Sequence, residues 1–156
     1  MYRNLNLTNY KVTEKTTGSE LDQIARKNLK KINLDYSHGT GHGVGFFLNV
    51  HEGPQSISKF NKIKLKPGMI LSNEPGYYKK GEFGLRIENL IFLKKKNNKK
   101  KFYNLTYVPI DKSLIIKKLM NKNEIAWLNE YHKIVYTKLK KYMNNEELVL
   151  LKQSCS

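Results

Sequence analysis

Cysteine is nearly missing from this chain. The single thiol, Cys155, stands next to the final residue, so there is no internal disulfide and no cysteine-based zinc framework, and a reducing compartment fits. Long apolar runs are missing too. No stretch approaches the roughly 20 apolar residues that span a bilayer, and the opening MYRNLNLTNYKV has no hydrophobic run of signal-peptide length. These absences exclude a disulfide scaffold and a helical membrane protein, and they imply a cytoplasmic chain with no membrane partner. Arginine is scarce as well: only Arg3, Arg26 and Arg86 among 29 basic residues, although the formal net charge is +16. Readers of bases and phosphates lean on the arginine fork. A Lys/Asn-rich surface is what an AT-rich coding sequence would place on any solvated face, so a basic nucleic-acid-binding protein is the weakest reading and no nucleic-acid partner is expected.

The 156 residues, 39% of them apolar, suffice for one hydrophobic core and are few for two. No repeat divides them. Ser19 followed by Asp22 resembles a capping box, and Leu21, Ile24, Ala25, Leu29 and Ile32 fall at helical spacing, which predicts a helix over 20–32. Gly39, Gly41, Gly43 and Gly45 predict a turn leading into a strand over 44–50. Pro67-Gly68 and Pro75-Gly76 bracket a strand over 69–73. Residues 83–93 read as extended, with Leu85, Ile87, Asn89 and Ile91 on one face and Arg86, Glu88 and Leu90 on the other. The lysine block KKKNNKKK at 94–101 reads as a hairpin loop before a strand near 105–108. Asn121 with Glu124 caps a long helix whose apolar stripe is Ile125, Leu128, Tyr131, Val135 and Leu139.

The chemistry lies in how the polar residues of these segments converge. His38 and His42 stand four apart, the spacing of two ligands on a zinc-binding helix. Glycines at 39, 41 and 43 disfavour a helix by about 1 kcal/mol each relative to alanine. His38, His42 and His51 are therefore expected to project separately from a loop and strand into one cleft, with glycines beside His42 admitting an ion or substrate close to the backbone. Glu74 sits between an apolar strand and a Pro-Gly turn, and Glu88 lies inside the apolar segment LRIENLIFL. A buried carboxylate needs a charge partner or a metal. Arg86, two residues before Glu88, offers the plain alternative of a structural ion pair. Three histidines with two carboxylates and no sulfur favour a manganese, cobalt or zinc site, which in dinuclear form activates a water or hydroxide.

HGTGHGVGFFLNVHEGP, then LKPGMILSNEPGYY, then GLRIENLIF, resemble the C-terminal catalytic domain of the X-Pro aminopeptidases (aminopeptidase P), pita-bread metallopeptidases related to prolidase, creatinase and methionine aminopeptidase. The resemblance runs from about residue 18 to about residue 136. It implies an α+β fold in which a curved, mostly antiparallel sheet is flanked by helices. It also implies that His42 and Glu74 are metal ligands and Glu88 the bridging carboxylate, while His38 and His51 line the substrate pocket and help move protons. Arg86 matches an arginine behind the bridging glutamate. The implied reaction removes an N-terminal residue that precedes proline: a metal-activated hydroxide attacks the scissile carbonyl, and Glu74 relays a proton to the leaving nitrogen. Two divalent ions are implied, manganese first with zinc or cobalt as alternatives, together with proline-containing peptides as substrates and a homodimer for the complete enzyme. His132 matches no site position and is expected to pack or face solvent.

The family also draws two aspartates from strands that precede the first helix. Asp22, Asp35 and Asp111 are the only aspartates here, and none stands at such a position. The expectation is one pita-bread domain over 1–156, incomplete at its N-terminal side, with 109–156 as a helical C-terminal segment and three of five ligands present. A non-catalytic pita-bread binding module and an inactive gene remnant are the competing readings.

Overall fold

Thr17 caps the helix expected over 20–32, because its hydroxyl accepts the Glu20 N–H and so satisfies one of the donors a helix start leaves free. The computed structural model describes residue 7 and residues 10–47 and 49–156, and α1 runs over Gly18–Lys30. It starts earlier than expected because Ser19 is not the cap: its N–H donates to the Asn61 carbonyl at 2.8 Å. The helix also ends earlier. Asn33 takes a left-handed φ of 56°, Ile32 and Leu34 both donate back to the Leu29 carbonyl, and Ile32 is left exposed. Leu21, Ala25 and Leu29 form the buried stripe.

Among the described residues seven short strands follow, all paired antiparallel. β1 (Gly41–His42) pairs with β2 (Ser56–Ile57). β3 (Ile70–Asn73) pairs with β6 (Asn89–Lys96), which pairs with β7 (Lys99–Asn104). β4 (Gly76–Lys79) and β5 (Phe83–Arg86) form a hairpin of their own. Alternation aims Leu71, Ile91, Leu93 and Phe102 into a core with Leu21, Ala25, Ile57 and Leu65, and the opposite face carries Leu90, Phe92 and Tyr103.

Three expectations for the strands need correction. Residues 44–47 and 49–50 form no strand: Gly45 N–H bonds the Asn49 carbonyl, Phe46 and Phe47 are exposed, and Leu48 lies outside the described residues. The extended run over 83–93 is interrupted at Ile87 and Glu88, where the chain leaves β4 as its neighbour and takes up β3 and β7. β5 is exposed along its whole length, so Leu85 is exposed while Ile91, in the same phase on β6, is buried. The lysine block is strand rather than loop. Only Asn97 and Asn98 turn, with φ of 48° and 59°, the two-residue geometry that matches strand twist. β7 accordingly occupies Lys99–Asn104, and residues 105–108 lie beyond it.

The chain divides into two compact units, Met1–Thr106 and Tyr107–Ser156. In the second, the expected capping box is present: Asn121 Oδ1 accepts the Glu124 N–H at 3.0 Å and Glu124 accepts the Asn121 N–H at 2.7 Å. It opens α2 (Lys122–Leu139), and an equivalent box at Asn144 and Glu147 opens α3 (Asn145–Cys155). Tyr131, Val135 and Leu151 form the small core, whereas Ile125 at the head of the expected stripe is exposed. His132 is buried and its Nε2 accepts the Ile110 N–H at 3.0 Å.

Candidate metal centre

His42 is held by backbone on two sides. In β1 it pairs with Ser56, its own N–H donates to Ser72 Oγ at 2.9 Å, and Gly43 bridges to Leu71. The flanking glycines permit this layering. A Cβ at Gly41 would lie 1.9 Å from the Ser72 carbonyl oxygen, and one at Gly43 would lie 2.0 Å from that of Glu52. They serve the approach of backbone to backbone, not of an ion to backbone as the sequence suggested. The His42 ring bonds the Gly43 carbonyl through Nδ1 at 3.0 Å. A carbonyl only accepts, so Nδ1 carries the proton and Nε2 presents its lone pair. That lone pair is 3.5 Å from Glu74 Oε1.

Glu74 follows β3 and is buried, its N–H tied to the Thr40 carbonyl at 2.8 Å. Ser72 donates to its Oε1 at 2.7 Å and Arg86 to its Oε2 at 3.2 Å. Glu88 stands in the break between β5 and β6 and is exposed, so it does not lie in a sheet interior and burial does not demand a partner for it. Among the described residues, His42, Glu74 and Glu88 are the group whose ligand atoms lie within 4.8 Å of one another. Ligands held about 2.1 Å from one ion lie at most about 4.2 Å apart. The trio is close to that spacing, and its exposed carboxylate is free to close the remainder. One imidazole and two carboxylates form a mixed N/O set with no sulfur, which suits a first-row divalent cation.

The other expected residues surround this trio. His51 lays its ring 4.1 Å from that of His42, tilted by 43°. Arg86 takes Glu74 as its partner instead of pairing with Glu88 alone, and its Nε–H donates to Tyr78 Oη at 2.8 Å. The Tyr78 bond, then the Glu74 and Glu88 charges, hold its pKa above the usual arginine value. His38 donates from Nδ1 to the Gly39 carbonyl at 2.6 Å, which leaves Nε2 to accept the Tyr78 hydroxyl at 2.9 Å. A single hydrogen-bond chain thus joins Glu74, Arg86, Tyr78 and His38.

Ser72, Tyr78 and Arg26 are the contributors that sequence reasoning missed. Arg26 on α1 donates to Asp22 at 2.8 Å and to Asp35, the Tyr36 carbonyl and the His38 carbonyl at 2.7, 2.7 and 2.6 Å. Its guanidinium also lies 3.9 Å over the Tyr36 ring. Burial works against its charge, but Asp22 and Asp35 outweigh burial and keep its pKa raised. The aspartates at 22 and 35 therefore fix the histidine segment without touching the ligand trio. Their signal in the sequence was the Asp22/Arg26 spacing of four on one helix. Ser72 and Tyr78 offered none beyond their places beside Glu74.

Residues 6–95 match the profile of metallopeptidase family M24, and residues 100–156 match the C-terminal region of peptidase M24. The chain belongs to metallopeptidase family M24. This M24 chain is 45% identical over 146 residues to a probable Xaa-Pro aminopeptidase P of Botryotinia fuckeliana (strain B05.10), covering 86% of the chain and 22% of the relative. A second such relative, from Fusarium vanettenii, is 46% identical over the same share of the chain and 24% of its own length. Among solved structures, the X-prolyl aminopeptidase of Caenorhabditis elegans, described as a cytosolic enzyme with a di-nuclear active site, superposes with a TM-score of 0.89. The two are 39% identical over 99% of this chain and 27% of that one. Prolidase from Pyrococcus furiosus superposes with a TM-score of 0.58 at 32% identity, over 67% of this chain and 29% of that one. The M24 chain has the α+β pita-bread fold that its sequence implied, and it spans about a quarter of the length of the curated relatives it matches. No described helix is long and apolar enough to cross a membrane.

Proposed function

We propose that this M24 chain supplies His42, Glu74 and Glu88 to a dinuclear metal centre that removes the N-terminal residue from peptides whose second residue is proline. The observation that carries the reading is the convergence of these three side chains within 4.8 Å, backed by the Arg86–Tyr78–His38 hydrogen-bond chain. Two divalent ions, manganese first with zinc or cobalt as alternatives, would supply a nucleophilic water at neutral pH and Lewis acidity toward the scissile carbonyl. The C. elegans relative, with its di-nuclear site, supports that stoichiometry.

The chain's own residues do the rest. The nitrogen leaving from an Xaa-Pro bond is the secondary amine of proline and must be protonated as it departs. Glu74 is placed to carry that proton, with Arg86 on Oε2 and Ser72 on Oε1 fixing the carboxylate. His51, its ring tilted against that of His42, and His38, steadied by Tyr78, hydrogen-bond the peptide and assist proton movement. Cytoplasmic residence and a homodimeric complete enzyme belong to the same reading, and the C. elegans relative is a cytosolic enzyme.

The test is a chimera in which this chain replaces the matching region of the C. elegans enzyme. Release of the N-terminal residue from Xaa-Pro peptides, not from Xaa-Ala peptides, and its loss in Glu74→Gln are expected. A chimera that folds, binds metal and cleaves neither would assign the chain to a non-catalytic binding module.

A further inference from the structure

The lysine block, expected as a hairpin loop, is strand, and this gives its charges a fixed arrangement that composition alone does not. β6 and β7 continue through it, so Lys94 faces Lys101, Lys95 faces Lys100 and Lys96 faces Lys99. Side chains alternate between faces along each strand. Lys95 and Lys100 therefore share one face, where Lys100 is buried against Glu14 at 2.7 Å. Lys94, Lys96, Lys99 and Lys101 share the other face. All four are exposed, and among the described residues none forms an ion pair. Like charges directly opposite each other destabilise a sheet, so an anion laid along this face would relieve a repulsion built into the hairpin. The turn at Asn97 and Asn98 holds the four ammonium groups in register before any ligand arrives.

The same face carries two aromatic rings. Phe92 faces Tyr103 two positions along the ladder from Lys94 and Lys101; the rings lie 5.5 Å apart, and Tyr103 is 37% exposed. Cations along a sheet surface beside an exposed aromatic suit a ligand that presents both phosphates and unstacked bases. A duplex hides its bases, and an acidic peptide has no use for the rings. A membrane would need apolar residues at the hairpin tip, where two asparagines stand. Lysine without arginine lacks the fork that reads base edges. We infer that the exposed face of β6–β7 is a sequence-tolerant binding surface for single-stranded nucleic acid, with Lys94, Lys96, Lys99 and Lys101 on the phosphates and Tyr103 stacking a base. This surface shares no residue with the metal centre, and the inference does not rest on the function proposed for it.

The test uses the full chain and a fluorescent twelve-nucleotide oligothymidylate read by anisotropy. Four phosphate contacts predict that affinity falls about 50-fold as salt rises from 50 to 200 mM. Replacing all four lysines by glutamine removes repulsion and leaves the fold intact by circular dichroism. It should flatten that salt dependence, while Lys117→Gln, Lys118→Gln, Lys140→Gln and Lys141→Gln combined, an equal charge change, should leave it in place. Tyr103→Leu should weaken binding at least about fivefold with the salt slope unchanged. Equal losses in the two lysine variants would overturn the inference by reducing it to net charge. So would an oligoglutamate or phosphatidylserine vesicles binding as tightly as the oligonucleotide with Tyr103→Leu having no effect.

Discussion

Arg26 and Lys96 carry the same charge under opposite conditions. Arg26 is buried on α1 and spends its donors on Asp22, Asp35 and two carbonyls of the histidine segment, whereas Lys96 is exposed and faces another lysine. The contrast extends to their regions. Around the ligand trio a few charges are each partnered, so that Glu74 keeps both oxygens oriented. In the β6–β7 hairpin many charges stand together with one carboxylate, Glu14, on the far face. Net charge, the most visible feature of the composition, describes the second region and says nothing of the first.

The comparison is open to attack from several sides. Arg26→Ala would strand Asp22 as a buried, unpaired carboxylate and should cost about 3–5 kcal/mol in urea unfolding. A loss under about 1 kcal/mol would mean that the buried network is no more than decoration. His42→Ala should lower Mn²⁺ affinity of the chain by more than the roughly 10–100-fold that loss of an outer hydrogen-bond partner costs. In calorimetric titration the variant and wild type should differ at once, and a chelator should lower the melting temperature of wild type alone. Tyr78→Phe removes the hydroxyl between Arg86 and His38, so turnover by the chimera should fall about 10-fold or more with metal content unchanged. Lys96→Gln with Lys99→Gln should have the smallest effect and the opposite sign. It should raise stability by about 0.2–1 kcal/mol, and the gain should fade as added salt screens the repulsion.

The chemical types at the centre were legible before the structure because His42, Glu74 and Glu88 sit in segments whose neighbours are glycine or apolar. Their support was not. Tyr78 and Arg26 reach His38 from 40 and 12 positions away, which a linear pattern does not show, and Ser72, two residues before Glu74, carries no mark of its role in the sequence. The elements divide similarly. Asn121 with Glu124 announced its helix, since a capping box is wholly local. The break at Ile87 and Glu88 was invisible because period-two alternation continues across a change of partner. The glycines expected to turn into a strand over 44–50 instead serve close packing, Gly41 against the Ser72 backbone and Gly43 against the carbonyls of Glu52 and Gln55.

In the second unit, His132 has a consequence for acid conditions. Burial, then the Lys112 charge, depresses its pKa below the ordinary value near 6.5. With the folded value lowered, its contribution to stability is complete above the unfolded value and is lost as acidification passes that value toward the folded one. Protonating Nε2 would also sever its bond to the Ile110 N–H. Mild acid thus acts as a selective solvent for Tyr107–Ser156, and Cys155, half-buried there, becomes the reporter. Its labelling by dithiodipyridine should accelerate as the pH falls below about 6.5, while amide exchange in the Leu21–Ile91 core stays slow.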